Sequence, residues 1–204
     1  MNENIEKDTG RIEALSDGIF GVAITLLAIE LKIPTLKTIS NHGLASALLE
    51  NWPEYLTIVN SFASILLMWV SHHNLFKMIK KPKMPFIAVN GMLLLFVTLT
   101  IFSTKTLSFY ILTDAAKVAA AFYGFTCMMI SGSFCLLWYK ALNDKEQLVE
   151  NIPEITIRAQ SISYVSGFAI YFFATLLAFV SPWLTVGIVT VSWLYWVLSF
   201  KKTE

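Results

Sequence analysis

Charged residues and cysteines are scarce in this chain of 204 residues. Asp, Glu, Lys and Arg together make up 14% of it, two residues are cysteines, and 56% of the residues are hydrophobic. With a mean hydropathy of +0.64, the composition excludes an ordinary soluble domain. The formal net charge of +1, without basic runs interleaved with aromatic residues, gives no support for nucleic-acid binding.

Long apolar stretches dominate the chain instead. Six of them approach the 20 or so residues that a helix needs to cross the hydrocarbon core of a bilayer, and the segments between them are too short for a soluble domain. We therefore predict an all-α integral membrane protein, in which residues 1–204 form a single domain of six transmembrane helices. The predicted spans are about 12–31, 52–78, 86–104, 115–142, 157–180 and 183–200.

The distribution of basic residues predicts the orientation. If the N-terminus is cytoplasmic, Lys32, Lys37, Lys105 and Lys117 lie outside, and the rest of the 15 lysines and arginines lie inside. Because positive charge concentrates in cytoplasmic loops, we expect a multi-pass protein of the cell membrane with both termini in the cytoplasm. The first span has a flank of mixed charge and no small-residue cleavage site after it, so we expect it to remain in the mature protein.

The first span begins with residues that a bilayer tolerates poorly, in the string "RIEALSDG" at 11–18. An ionised carboxylate such as Asp17 inside a span costs several kcal/mol unless it is paired, so it marks a functional or strongly structural position. Arg11 is six residues away on another face of the helix and cannot form the i, i+4 pair. The best partners lie in "WVSHHNLF" at 69–76, where Trp69, His72 and His73 offer an indole donor and two imidazoles.

These polar residues have a structural and two functional interpretations. In the structural one they only lock helices together through hydrogen bonds. A metal or haem site would need further ligands at suitable spacing, and no second cluster is present. A proton relay between Asp17 and a histidine is the other functional alternative. The residues concerned are Arg11, Ser16, Asp17, Gly18, Trp69, His72, His73 and Asn74.

Another stripe of the first span is mainly apolar. At about 100° per residue, Val22, Thr25, Leu26 and Ile29 share one side of the helix. Taken alone, this pattern is typical of core packing, in which the threonine bonds the carbonyl four residues earlier.

Two of these strings carry a family resemblance. "RIEALSDG", followed by "AITLL" and "AIEL", resembles the R-x-x-x-F-S-D-G signature that opens the first helix of the transmembrane protein 175 family of potassium-permeable channels. "WVSHHNLF" resembles the tryptophan and double-histidine stretch of that family, and the length and span number match its single-repeat prokaryotic form. Leu15 stands where the family usually has phenylalanine, which changes a packing group and leaves the donors and charges of the signature in place.

The resemblance implies a homotetramer in the lipid bilayer, with the first helix of each chain lining a central pore. It assigns Val22, Leu26 and Ile29 to the pore constriction and Thr25, with Val22, to ion selectivity. Apolar rings of this kind can dewet and block ions until the helices move apart, and the hydroxyls and carbonyls near Thr25 suit a hard cation. The signature residues then brace the pore helix. The resemblance implies no cofactor besides the permeant potassium ion and no enzymatic activity.

Other function classes remain open from the sequence. A proton- or ion-coupled transporter usually shows a pair of broken helices in matching halves of the chain, and no such pair is evident. An intramembrane enzyme lacks its motifs here, since Ser131 is not in a G-x-S-x-G setting and no H-E-x-x-H is present. A structural or assembly protein without transport activity is not excluded. The common potassium filter T-V-G-Y-G is absent, and Glu30 is a weaker candidate for attracting cations to the outer mouth.

Overall fold

The computed structural model describes residues 3–29, 31, 33, 36–150 and 152–200. These residues form seven α-helices and one short 3-10 turn, so the all-α class predicted from the sequence is confirmed. Glu30 lies outside the described residues. The helices are α1 (Glu3–Ile29), α2 (Leu36–Glu50), α3 (Trp52–Phe76), α4 (Met84–Tyr110), α5 (Ala116–Asn143), α6 (Glu154–Leu177) and α7 (Pro182–Phe200).

Five of these helices are long and apolar enough to cross a membrane. They are α1 from Thr9 onward, α3, α4, α5 and α6, and in α7 the described residues include a shorter apolar helix, Pro182–Trp193. The predicted span 86–104 is extended at both ends, to Met84–Tyr110. The sequence-based span ends before Lys105 because a lysine interrupts the apolar stretch. The helix continues past it, since the hydrocarbon stem of a lysine can lie along an apolar surface.

The helices pack as two groups of three. In the first, α1, α3 and α4 contact one another; in the second, α5, α6 and α7 do. The most extensive contact between the groups is α4 against α5, and α3 against α7 adds a second one. The helix α2 packs only weakly, against α3, and is broken at Gly43, which has a positive φ of 76°. The first helix therefore lies at one side of the protomer and α5 near its centre.

Two clusters of buried apolar residues hold this arrangement. The larger one joins α1 and α3 to α4 and α5 through residues such as Phe20, Leu27, Ile65 and Leu93. The second cluster lies between α4, α5, α6 and α7 and is rich in small residues. Gly124 of α5 belongs to this region: a Cβ there would lie 2.9 Å from Thr175 Oγ1 and 3.1 Å from Thr175 Cα. Close approach of helix backbones through small residues is the common packing mode in membranes.

One end of the bundle is tied together by its loops. We call it the lysine-rich end and define it by the loops 77–83 and 144–153. Ile79 and Leu148 form a β-bridge, and the backbone N–H of Lys80 donates to the carbonyl of Gln147 over 2.7 Å. From α1, Thr9 Oγ1 donates to the carbonyl of Lys80 over 3.4 Å. The start of α1 is thus fixed to the same end as the loops.

Candidate functional site

The helix α1 buries one face within its own chain. Ser16, Phe20, Ala23 and Leu27 are buried there, at the three- and four-residue spacing of one helical face. The elements that cover this face are α3 and α4. Leu27, for example, is 1% exposed. One face of α1 is therefore fixed in the protomer, and this orientation decides which residues point away from it.

The opposite face of α1 is apolar but uncovered. Val22 is 56% exposed, Leu26 38% and Ile29 74%, and Leu15 is exposed on the same side. We call Val22, Thr25, Leu26 and Ile29 the α1 stripe. The structure thus brings the four residues that the sequence assigned to the pore together on one surface, which no part of the described chain covers. Whatever covers this stripe is therefore not among the described residues of the same protomer.

Thr25 is the polar member of the α1 stripe. Its hydroxyl donates within its own helix, to the carbonyls of Gly21 at 3.1 Å and Val22 at 3.0 Å. This bond uses the hydroxyl proton and leaves lone pairs of the oxygen available to accept a hydrogen bond or to contact a cation. Thr25 is itself exposed. It can therefore present an oxygen ligand on a face that is otherwise apolar.

Two glycines lie beside the stripe. A Cβ built at Gly18 or at Gly21 meets no atom within 4 Å in the described part of the chain. Neither glycine is thus needed for packing inside the protomer, in contrast to Gly124. Small residues on an open helix face leave room for another helix backbone to approach closely.

Asp17 is held by the second predicted span. The indole Nε1 of Trp69 donates to Asp17 Oδ1 over 2.8 Å, and the Trp69 ring stacks on His73 with 5.9 Å between ring centroids. Asp17 nevertheless remains exposed on its helix. The indole is one neutral donor and satisfies part of the hydrogen-bonding capacity of the Asp17 carboxylate. The carboxylate faces away from the packed side of the protomer.

A second polar group lies deeper and joins three helices. His72 Nε2 donates to Asn90 Oδ1 over 3.0 Å, Asn90 Nδ2 donates to Ser16 Oγ over 3.1 Å, and Ser16 donates to the carbonyl of Ile12 over 2.8 Å. All three polar side chains are buried. Phe20 packs against the His72 ring at a centroid distance of 5.4 Å. This chain fixes α1 to α3 through α4, in an apolar setting where an unpaired polar group would be costly.

Sequence reasoning missed Asn90 in this group. Its signal was a single amide within the third predicted span, in "FIAVNGML". A lone asparagine in an apolar helix favours an interhelical hydrogen bond, but its spacing does not indicate which helix it reaches.

The remaining signature residues lie outside these two groups. Arg11 is exposed near the lysine-rich end, beside a cavity that it lines with Ile12, Leu15, Pro82 and Ile87. Asn74 is half-buried in the last turn of α3. Over the described residues, no group of three or more His, Cys, Asp or Glu side chains could hold a metal ion.

Charge is concentrated at the lysine-rich end. The ammonium group of Lys83 pairs with Asp144 and, at 3.0 Å, with Glu146, and these hydrogen bonds raise the pKa of Lys83 above its usual value. Lys80 pairs with Glu150 at 2.8 Å, which lowers the pKa of the Glu150 carboxyl. These pairs link the loop before α4 to the loop after α5, at the end where α1 begins.

Comparison with known proteins gives consistent matches. A family model described as endosomal/lysosomal potassium channel TMEM175 matches residues 11–100. A potassium channel of Chamaesiphon minutus is 40% identical over 193 residues, which is 95% of each chain. A potassium channel of Streptomyces collinus is 34% identical over 181 residues, covering 88% of this chain and 87% of that protein.

Solved structures agree with this result. The crystal structure of a lysosomal potassium-selective channel TMEM175 homologue from Chamaesiphon minutus superposes with a TM-score of 0.86 at 40% identity, covering 94% of this chain and 97% of the other. A variant of the potassium channel MtTMEM175, in complex with a nanobody fusion, has a TM-score of 0.63 at 20% identity, covering 94% of this chain and 91% of that one. The second match supports the fold alone.

Proposed function

The chain belongs to the TMEM175 family, and on this premise we propose that it is a potassium channel in which the α1 stripe lines a pore formed by several identical chains. The observation that carries the proposal is the apolar face of α1 that its own protomer leaves uncovered, with Val22 and Ile29 more than half exposed. Such a face needs an occupant, either lipid or further copies of the chain.

The residues around the stripe favour a protein and ion environment over lipid. Thr25 presents a hydroxyl oxygen within the stripe, and the carboxylate of Asp17 is exposed about a third of a turn away around the helix. A lipid-facing carboxylate would be costly. Gly18 and Gly21 leave space for close approach of a second α1 helix. We therefore place α1 at the symmetry axis of a homotetramer, as expected for the single-repeat form of the family.

In this arrangement, Val22, Leu26 and Ile29 form rings that close the pore by excluding water. A small outward movement of the four helices admits water and lets a potassium ion pass. Thr25, between the rings of Val22 and Ile29, contributes oxygen atoms that replace part of the hydration shell of the ion. The two hydrogen-bonded groups, Asp17 with Trp69 and Ser16 with Asn90 and His72, hold each α1 against its own protomer.

The orientation and location follow from the charge distribution. The lysine-rich end carries the exposed lysines of the loop 77–83, and positive charge concentrates on the cytoplasmic side. We assign this end to the cytoplasm and the protein to the cell membrane, with six membrane spans and both termini inside. The coupled-transporter alternative gains no support from the helices, because among those described only α2 contains a break.

The experiment is a potassium flux assay in liposomes that contain the purified full-length protein. We expect potassium, and rubidium, to move down their gradients without a coupling ion. Val22→Ala and Ile29→Ala should raise the flux in the resting state, because smaller side chains widen the apolar rings. Val165→Ala and Ile162→Ala are matched controls, since these α6 residues are 64% and 58% exposed and lie away from α1.

Two results would contradict the proposal. Equal flux in Val22→Ala, Ile29→Ala and the α6 controls would remove the stripe from the pore. Strict dependence of potassium movement on a second ion would indicate a transporter. The molar mass of the detergent-solubilised protein, after subtraction of detergent, tests the tetramer against the 23.0 kDa of one chain.

A further inference from the structure

A small, partly open cavity separates α3 from the α5–α6–α7 group. Apolar residues such as Leu67, Met68 and Ile130 form part of its lining, and polar and aromatic side chains form the rest, among them Ser64, Ser71, Ser131, Tyr164, Trp193 and Trp196. The space open to the centre of a water molecule is about 30 Å³. Apart from its contact with α7, the helix α3 packs mainly against α1 and α4. The cavity thus lies in the seam between the two groups of helices, on the side of α3 that faces away from α1.

Tyr164 lines this cavity and carries an unpaired polar atom. The residue is 3% exposed, and its hydroxyl makes no hydrogen bond within the described part of the chain. Its ring is fixed by stacking on Phe134, with centroids 5.7 Å apart and planes 7° apart. Gln160, one turn earlier on α6, lies within reach of this hydroxyl, although the two side chains do not meet the geometry of a hydrogen bond. A buried hydroxyl without a partner is rare in native proteins, because it loses its bonds to water without replacement.

The opposite wall supplies further hydroxyls. Ser64 Oγ donates to the carbonyl of Asn60 over 2.8 Å and accepts from Trp193 Nε1 over 3.3 Å, and the Tyr123 hydroxyl lies beside it. Ser71, two turns further along α3, and Ser131 of α5 also line the cavity. Each serine can both donate and accept. The cavity therefore has polar groups on α3, α5 and α6 that no side chain connects.

A glycine closes the cavity beside these groups. A Cβ at Gly167 would lie 2.5 Å from the ring of Trp196 and 3.0 Å from Ser131 Oγ. The missing side chain lets the Trp196 ring lie directly against the α6 backbone, where its Nε1 donates to Tyr171 over 3.1 Å. The space is therefore bounded on this side by rings that are themselves held in place.

We propose that this cavity is a water-binding site, in which one or two water molecules hydrogen-bond to the Tyr164 hydroxyl and bridge it to the serines of α3 and α5. A water molecule needs about 10–15 Å³ of such space and two to four polar partners, and the cavity offers both. These water molecules would lie on one side of α3. On its other side, α3 holds α1 through Trp69 and His72.

Radiolytic hydroxyl labelling of the full-length protein in lipid nanodiscs tests for bound water. A bound water molecule generates hydroxyl radicals in place, so we expect Tyr164 to be labelled several-fold faster than Tyr123. Tyr123 is the matched control because it is also buried, at 1% exposed, but it hydrogen-bonds to Ser61 and does not line the cavity. Equal protection of the two tyrosines would overturn the proposal.

The sign of a stability change gives an independent test. If water satisfies the phenol, Tyr164→Phe removes a hydrogen bond and lowers Tm by about 2–4 °C; in a dry cavity the same change removes an unsatisfied group, and Tm stays constant or rises. Gln160→Leu removes the other side chain that could bond the Tyr164 hydroxyl, and so distinguishes Gln160 from water as its partner. Rapid labelling of Tyr164 in this variant supports water, whereas loss of labelling together with an unchanged Tm for Tyr164→Phe contradicts it.

Discussion

The first and fifth helices are both apolar enough to cross a membrane, but the protomer uses them differently. In the most apolar stretch of α1, 22% of the residues are buried within the chain, against 56% in α5. Small residues such as Ala119, Ala120 and Gly124 let neighbouring helices approach α5 closely. The helix α1 is held on one face only, by apolar packing and two hydrogen-bonded groups. Apolar composition places both helices in the membrane, and side-chain size and polar contacts decide their position in the fold.

The largest expected effect distinguishes the glycines of the two helices. Gly124→Val should prevent α5 from packing on α6, because the new atoms would overlap the Thr175 backbone, and we expect the loss of folded protein. Gly21→Val meets open space within the protomer, so secondary structure should persist while the oligomer weakens. Size-exclusion chromatography with circular dichroism measures both. A folded Gly124→Val protein, or an unfolded Gly21→Val protein, would contradict the comparison.

Two adjacent leucines of α1 give the next effect. Leu27 is 1% exposed and Leu26 is 38% exposed. Leu27→Ala leaves a cavity against α3 and α4 and should cost about 2–5 kcal/mol of unfolding free energy. Leu26→Ala should change unfolding much less and raise potassium flux instead. Thermal unfolding and liposome flux, measured on both variants, check this separation, which fails if the two substitutions have the same profile.

The two hydrogen-bonded groups should differ in the same way. Asn90→Ala leaves the Nε2 of buried His72 without its partner and removes the donor to Ser16, which keeps its bond to the carbonyl of Ile12, at a cost of about 1–3 kcal/mol. Asp17→Asn keeps an oxygen that accepts from Trp69 but removes the exposed charge, so we expect a change in assembly with little change in protomer stability. Chemical denaturation and oligomer mass report the two effects. A protomer more destabilised by Asp17→Asn than by Asn90→Ala would reverse this ranking.

The smallest effect concerns the ion pairs at the lysine-rich end. The pKa of Glu150 is lowered in the folded protein. The stabilisation from its ion pair with Lys80 is therefore complete above pH 4.5, the ordinary pKa of a glutamate, and is lost as the pH falls through the lower pKa of the folded state. The pKa of Lys83 is raised, so its pairs are complete below 10.5 and are lost as pH rises further. Exposed pairs contribute little. We expect small decreases in Tm below the first pH limit and above the second. The double variant Lys80→Met, Lys83→Met should lack these decreases, and the control Lys81→Met should retain them.

The sequence predicted the α1 stripe and the partner of Asp17, but not Asn90. The helical period alone placed Val22, Thr25, Leu26 and Ile29 on one side of α1, and the segment 69–76 was the expected source of a partner for Asp17. The Trp69–Asp17 bond matches that expectation. The role of the stripe in conduction stays a prediction. Asn90 was missed because a lone amide in an apolar helix shows that it needs a partner but not which residue supplies it.

The sequence by itself determined that this protein is helical and belongs in a membrane, because composition and apolar length fix the solvent of each helix without any contact between helices. It also determined which residues of α1 share a side, since the helical period depends only on local geometry. The tertiary structure decided which side of α1 is covered, that Asn90 joins Ser16 to His72, and that a cavity lies behind α3. These contacts join residues that are far apart along the chain, and they depend on how side chains of particular sizes fit when whole helices pack.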